Sequence, residues 1–250
     1  MLDAIILAGG LGTRLSQRVP DTPKALAPIR GFPFLHYLLS QLSNSRHVSK
    51  VILALGHQAE AIQTWISQKH FPWNIECSIE TSPQGTGGAL LLALTKTEKE
   101  TLLVLNGDSF CDASIDDFYS FHKNHQSDLS ITTMEANDTS RYGSIEFDAN
   151  HRILQFREKS KFADRGWINT GTYLMEKQLI ASCETKKCSL EKDIFPRFLE
   201  QKIFAYPHRG IFIDIGTTES YEEAQTILGA SINRSLKFAK LVRNEPDAEE

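Results

Sequence analysis

Three glycines and an arginine near the start of this chain are spaced for holding phosphate. Gly9, Gly10 and Gly12 can turn successive backbone N–H groups toward a triphosphate, and Arg14 adds a guanidinium fork that matches phosphate oxygens in pairs. Two other phosphate loops fit less well. A Walker loop needs Gly-Lys-Ser/Thr after four residues, and no such triplet occurs in the sequence. The dinucleotide fingerprint begins with Gly10 and Gly12 but meets Leu15 where its third glycine belongs, and that glycine is what lets helix and strand pack closely. From these residues alone, a glycine turn carrying a surface arginine stays open as a second reading. Asp108 is another candidate: it ends a run of apolar residues, Thr101 to Leu105 followed by Asn106-Gly107, where open α/β sheets collect ligands. Asp214 ends a similar run, Ile211-Phe212-Ile213. No Ser-His-Asp or Cys-His arrangement for nucleophilic catalysis stands out.

These residues need a scaffold, and the sequence predicts one. Leu2 to Ala8, Val51 to Leu55, Ile75 to Ile79 and Thr101 to Leu105 are short, nearly continuous apolar runs, as strands buried on both faces require. Between them, Pro33 to Ser45 carries a helical stripe at Leu35, Leu38, Leu39 and Leu42. Ala59 to Lys69 reads as a helix with Ile62, Trp65 and Ile66 inward, and Gly87 to Thr95 as an Ala- and Leu-rich helix. This alternation predicts a mostly parallel sheet covered on both faces. The second half is more mixed. Leu129 to Met134, Ser144 to Phe147, Ile153 to Phe156 and Thr172 to Leu174 predict short strands of a smaller, partly antiparallel addition. A last helix spans 218 to 228, with Ser220 and Glu223 at capping-box spacing. Residues 229–250, ending in the acidic run Glu245 to Glu250, read as a tail.

Composition excludes several classes. The chain has 250 residues, 41% hydrophobic and 23% charged, within the globular range. Its net charge of −4, from 27 basic and 31 acidic residues, does not suit a nucleic-acid partner, which calls for clustered Lys and Arg. Apolar runs are far short of a membrane span, and no basic region precedes the first of them as in a secretory signal. Cys77, Cys111, Cys183 and Cys188 lack metal-site spacing and are expected to be reduced thiols of a cytoplasmic protein.

Gly-Gly-Leu-Gly-Thr-Arg-Leu after the first strand, followed by Pro23-Lys24, resembles the signature of sugar-1-phosphate nucleotidylyltransferases. Further motifs of that superfamily follow in order: Gly85-Thr86-Gly87-Gly88-Ala89-Leu90, Asn106-Gly107-Asp108, Glu158-Lys159, Asn169-Thr170-Gly171 and Asp214-Ile215-Gly216. Together they cover residues 3–217. The resemblance implies a Rossmann-like α/β three-layer sandwich with a mostly parallel mixed sheet of the nucleotide-diphospho-sugar transferase type. No C-terminal β-helix is expected. One domain over 1–228 would divide into a nucleotide-binding half, 1–110, and a sugar-binding half, 111–228.

The implied reaction is attack of a sugar 1-phosphate oxygen on the α-phosphorus of a nucleoside triphosphate, expelling pyrophosphate. Both reactants are anionic, so charge stabilisation and in-line alignment carry the catalysis, and a phosphate dianion needs no general base. By resemblance, Arg14 grips the β- and γ-phosphates, Lys24 stabilises charge growing at the α-phosphate and Lys159 holds the sugar phosphate. Asp108 and Asp214 resemble a pair binding Mg2+, which takes few protein carboxylates. Leu7 and Ala8, the glycine loop with Thr13, Glu80, Gly85, Thr86, Gly88, Asn106 and Gly107 correspond to the nucleotide pocket. Tyr142, Gly143, Glu158, Asn169 and Thr170 correspond to contacts with the sugar phosphate, whereas Glu191-Lys192-Asp193 reads as structural.

Within the superfamily the motifs, with Arg141-Tyr142-Gly143, most resemble D-glycero-D-manno-heptose 1-phosphate guanylyltransferases, implying GTP and a heptose 1-phosphate as substrates. Two positions depart from the pattern: Ser160 stands where many members have proline, and Asn169-Thr170-Gly171 replaces Asn-Gly-Gly. Mannose 1-phosphate guanylyltransferase and N-acetylmuramate 1-phosphate uridylyltransferase are the alternatives, and a homodimer is a family-level expectation. A non-catalytic nucleotide-sugar sensor is the reading of a different class. A sensor is free to lose some of Arg14, Lys24, Asp108 and Asp214, and all four are present.

Overall fold

The apolar run at the N-terminus becomes the centre of the sheet. In the computed structural model, which describes residues 1–10, 12, 14–15, 18–157, 164–183, 187–228 and 238, strand β1 (Leu2–Leu7) is flanked on both sides by parallel neighbours. Ile5 and Ile6 point to opposite faces and both are fully buried, which is why no polar residue interrupts the run. Each such side chain contributes about 1.5–3 kcal/mol relative to exposure.

The chain then forms a small ribbon, β2 (Pro28–Ile29) with β3 (Phe32–Pro33), followed by α1 (Phe34–Leu42), β4 (Val48–Leu55), α2 (Ala59–Ser67) and β5 (Asn74–Ile79). Next come α3 (Gly85–Ala93), β6 (Thr101–Asn106), β7 (Ser109–Cys111) and α4 (Ile115–Asn124). The second half contains β8 (Leu129–Ala136), β9 (Ser144–Phe147), β10 (Ile153–Arg157), β11 (Gly166–Glu176), α5 (Lys177–Ala181), β12 (Ile203–His208), β13 (Phe212–Asp214) and α6 (Thr218–Ile227).

Among the described residues nine strands share one sheet, in the order β10-β9-β11-β6-β1-β4-β5, with β8 beside β11 and β12 beside β8. The nucleotide-side strands β6, β1, β4 and β5 are parallel, and β11 joins them antiparallel through β6. One apolar layer packs α1, α2, α4 and α6 against one face through Leu38, Ile62, Phe118 and Tyr221. The other packs α3 and α5 against the opposite face through Leu90 and Ile180. This is the three-layer α/β arrangement that the alternation of strand and helix predicts.

Three features differ from expectation. The strand expected over Thr172 to Leu174 is the end of the eleven-residue β11, which pairs with β8 over much of its length, with β9 near its start and with β6 near its end. Its register against β8 shifts between Asn169 and Tyr173, where Gly171 adopts a φ of +79°. Second, the capping box of α6 starts three residues earlier than expected. The Thr217 hydroxyl accepts from the backbone N–H of Ser220, and the Ser220 hydroxyl accepts from the Thr217 N–H, so Ser220 is the third helical residue and not the cap. Third, Phe238, beyond the expected end of the last helix, is buried against His36, Phe71 and Trp73.

Candidate functional site

Asp108 and Asp214 lie far apart in sequence and meet because two three-residue strands pair. β7 and β13 run antiparallel with Asp214 opposite Ser109, and the backbone N–H of Ile215 donates to the Asp108 carbonyl at 2.9 Å. Asp108 itself sits in the turn that ends β6. Both carboxylates face one cleft of about 840 Å³.

Each carboxylate has its own cation. Lys24 opens a 3-10 turn, Lys24–Leu26, entered through the extended backbone of Pro23, and its Nζ donates to Asp108 Oδ2 at 2.6 Å. The Arg141 guanidinium donates to Asp214 Oδ2 at 3.1 Å, and the Tyr142 hydroxyl donates to the same oxygen at 2.6 Å. The Gly216 N–H donates to Asp214 Oδ1 at 2.7 Å. Burial, with the Asp214 charge beside it, holds the Tyr142 phenol protonated far above its ordinary range. The result is two cation–carboxylate pairs on one cleft, in which Lys24 and Arg141 stand where phosphate oxygens would be attracted.

A second cleft of about 370 Å³ opens along the carboxyl ends of β1 and β6. Its walls include Leu7, Ala8, Gly9, Gly10, Glu80 and Gly85, all expected at the nucleotide pocket. Thr86, Asn106 and Gly107 line it as well. The two clefts are continuous at Lys24, Asn106 and Asp108, which line both. Gly85 turns the chain into α3 with a φ of +74°, and a Cβ there would lie 2.5 Å from the Cys188 carbonyl oxygen, so only glycine fits. Glu80 Oε2 accepts the Gln84 N–H at 3.0 Å, which fixes that carboxylate on the cleft wall.

On the opposite side, Tyr142, Gly143 and Asn169 line the larger cleft, as does the exposed Arg14. Gly12 lies close over Lys24, since a Cβ on it would be 3.4 Å from the Lys24 Cβ. Two expected contacts are turned away. Thr170 is 1% exposed, with its hydroxyl bonded to Thr132, because alternation along β11 puts Asn169 and Gly171 on the cleft face and their neighbour on the other. Gly88 is buried within α3 and does not line the smaller cleft. Thr86 reaches that cleft, but its hydroxyl donates to Glu191 at 3.0 Å and is committed. Thr13, Glu158 and Lys159 lie outside the described residues.

Sequence reasoning placed Glu191 in a structural segment, yet it lines the larger cleft beside Ser189 and Lys192. The segment is a single π-helical turn, Leu190–Ile194, capped by the Ser189 hydroxyl. Its signal was present in Ser189-Leu190-Glu191-Lys192-Asp193, a helix start whose acidic residues satisfy local N–H groups. Asp193 does so, accepting from the Ser189 N–H at 2.7 Å, whereas Glu191 turns to the cleft. Arg141 is the other residue with a larger part than the motif suggested, through its pairing with Asp214.

The donor set suits a hard divalent cation. Asp108 and Asp214 offer carboxylate oxygens to one cleft, and no group of three or more His, Cys, Asp or Glu placed to hold a metal occurs among the described residues. Mg2+ is held by one or two carboxylates plus substrate phosphates and water, so this pair fits it, and Lys24 and Arg141, each bonded to one of the two carboxylates, leave their remaining N–H groups for phosphate.

A family model described as "Nucleotidyl transferase" matches residues 3–231. D-glycero-alpha-D-manno-heptose 1-phosphate guanylyltransferase of Aneurinibacillus thermoaerophilus is 35% identical over 227 residues, covering 90% of this chain and 97% of that protein. The protein of the same description from Campylobacter jejuni is 35% identical over 221 residues, covering 88% and 97%. The crystal structure of HddC from Yersinia pseudotuberculosis superposes with a TM-score of 0.80 at 36% identity, covering 90% of this chain and 99% of that one. HddC has also been solved in complex with GMP-PN.

Proposed function

The chain belongs to the nucleotidyl transferase family, and from that premise we propose that it transfers a guanylyl group from GTP to D-glycero-α-D-manno-heptose 1-phosphate. The products are GDP-heptose and pyrophosphate. A sugar 1-phosphate oxygen bonds to the α-phosphorus of GTP, and the bond from that phosphorus to the bridging oxygen breaks as pyrophosphate leaves. One observation carries the reading: the smaller cleft, expected to take the nucleoside, and the larger, expected to take the sugar phosphate, meet at Lys24 and Asp108. Reacting phosphates drawn from the two sides meet beside a fixed ammonium and two carboxylates. The relatives' descriptions support the substrates.

In this reading residues 1–110 hold the nucleotide and 111–228 hold the sugar phosphate, as one domain. The Glu80 carboxylate, fixed by the Gln84 N–H, offers acceptors for the ring N1–H and 2-amino group of guanine; uracil and thymine carry a ring N–H but no such amino group. Arg14 draws the β- and γ-phosphates, and Lys24 stabilises the charge that grows as the α-phosphate is attacked. Tyr142 and Asn169 contact the sugar phosphate. Asp108 and Asp214 would hold Mg2+, which when bound supplies further charge neutralisation at the phosphates. A cytoplasmic location fits four free thiols, and among the described residues no helix is long and apolar enough to cross a membrane.

The test is pyrophosphate release from a panel of nucleoside triphosphates against several sugar 1-phosphates, with and without Mg2+. The expected result is Mg2+-dependent turnover, highest with GTP and heptose 1-phosphate. Turnover with UTP or dTTP but not GTP overturns the guanylyl assignment. Binding without pyrophosphate release from any pair overturns catalysis in favour of a sensor.

A further inference from the structure

Glu191 is tied to both clefts by hydroxyl donors. Its Oε2 accepts from the Ser189 hydroxyl at 2.8 Å and from the Thr86 hydroxyl at 3.0 Å, and its Oε1 accepts from the Tyr173 hydroxyl at 3.1 Å. Thr86 lies on the wall of the nucleotide cleft, and its oxygen also accepts the Leu190 N–H at 2.8 Å, which clamps the start of α3 to the π turn. Tyr173 is completely buried, and burial beside the Glu191 charge keeps its phenol protonated. Its single proton is spent on Glu191, so its oxygen is left to accept. The Asn169 amide nitrogen donates to it at 2.9 Å and the Asn106 amide nitrogen approaches at 3.5 Å. A chain of oriented bonds therefore runs from one carboxylate through Tyr173 to two cleft asparagines, Asn106 between the clefts and Asn169 on the sugar side, where the Gly171 N–H, donating to Asn169 Oδ1 at 2.8 Å, fixes the other end of that amide.

Resting on the proposed transferase activity, we infer that Glu191 is a positioning residue that aligns the nucleotide and sugar-phosphate subsites with each other. It touches neither reacting atom. Replacing its carboxylate by an amide removes one acceptor oxygen, so either the Thr86 and Ser189 hydroxyls or the Tyr173 hydroxyl loses its partner. Through Tyr173 the second loss leaves unfixed the hydroxyl that both asparagine amides approach, which loosens Asn106 most, because Asn169 Oδ1 still accepts the Gly171 N–H at 2.8 Å. Misalignment of two otherwise intact subsites is read in turnover and not in the binding of either substrate alone.

The experiment compares wild type with Glu191→Gln, Tyr173→Phe and the double variant. It measures kcat with GTP and heptose 1-phosphate, and the calorimetric affinity and stoichiometry of a non-hydrolysable GTP analogue and of the sugar 1-phosphate separately. Each single variant is expected to lose roughly 10- to 100-fold in kcat. Each ligand's Kd should stay within about threefold at full stoichiometry, and the double variant should be no slower than the poorer single one, because both act through one chain of bonds. Full activity in Glu191→Gln, multiplying losses in the double variant, or stoichiometry that falls in step with kcat would each overturn the inference. An inactive wild type would instead remove the transferase reading on which it rests.

Discussion

Lys24 and Asp108 form a pair whose value changes during turnover. At 2.6 Å, with Lys24 16% exposed, the ammonium is held ready beside the junction of the two clefts. Its charge is used most when negative charge grows on the α-phosphate, so Lys24→Ala should lower kcat by about 100-fold or more while nucleotide affinity falls much less. Steady-state kinetics beside direct nucleotide binding measure this, and equal losses in both would mean that Lys24 serves binding alone. Asp108→Asn, which keeps size and removes charge, should cripple turnover in a protein that melts normally. Thr170 tests a correction. Its hydroxyl lies in a buried pair with Thr132, which also donates to the Thr172 carbonyl at 3.1 Å. Thr170→Val should therefore cost about 1 kcal/mol of stability and leave kcat and both KM values within about twofold of wild type. A large rise in the sugar-phosphate KM would put this side chain back in the site.

At the scale of elements, α3 shows how a poor helix sequence is kept helical. Its first four residues are Gly-Thr-Gly-Gly, and a glycine in a helix interior costs about 1 kcal/mol against alanine. The buried Ala89, Leu90 and Ala93 offset that cost, and the Cys188 carbonyl accepts the Gly87 N–H at 2.9 Å. Gly85→Ala would force a Cβ against that same carbonyl at positive φ. It should destabilise the protein by more than about 1 kcal/mol and weaken GTP binding, since the cleft wall and the carbonyl cannot both stay in place. Thermal melts beside nucleotide titration read both effects, and a variant with unchanged affinity would mean that the wall is pliable. The strands of the parallel half were legible because their apolar runs, though short, are nearly continuous and sharply bounded. α4 was missed although Ser114 caps it by accepting from the Asp117 N–H, Asp116 lies in its first turn, and Ile115, Phe118 and His122 form its buried stripe. A histidine on that stripe obscured the period. β7 and β13 have three residues each, too few for any period, and their pairing is what unites the aspartates. Motif order could name Asp108 and Asp214; only tertiary pairing could join them, and only alternation along β11 could exclude Thr170.

For the molecule as a whole, acid should act through a polar cluster remote from the candidate site. His122, fully buried on α4, contacts the Ser130 hydroxyl through Nδ1 and Glu176 through Nε2. Burial dominates and pulls its pKa from the ordinary 6.5 down to about 4, despite the adjacent carboxylate. Burial pushes Glu176 upward, but bonds from Lys123, Thr101 and His122 together outweigh it and keep that carboxyl below its ordinary range. The cluster joins α4, β6, β8 and β11, so its loss loosens the junction between the parallel half of the sheet and its antiparallel addition. Between pH 6.5 and 4 the unfolded chain binds a proton at His122 that the folded chain refuses. Stability should therefore fall as pH drops through that window, and the depressed Glu176 extends the loss to lower pH. Denaturant midpoints from pH 7 to pH 4 should decline in wild type and decline less steeply in His122→Gln, whose amide carries no titrating proton. Parallel slopes in the two proteins would show that acid sensitivity originates elsewhere. Turnover per folded molecule should be the same in both at pH 7, because none of these groups lines either cleft.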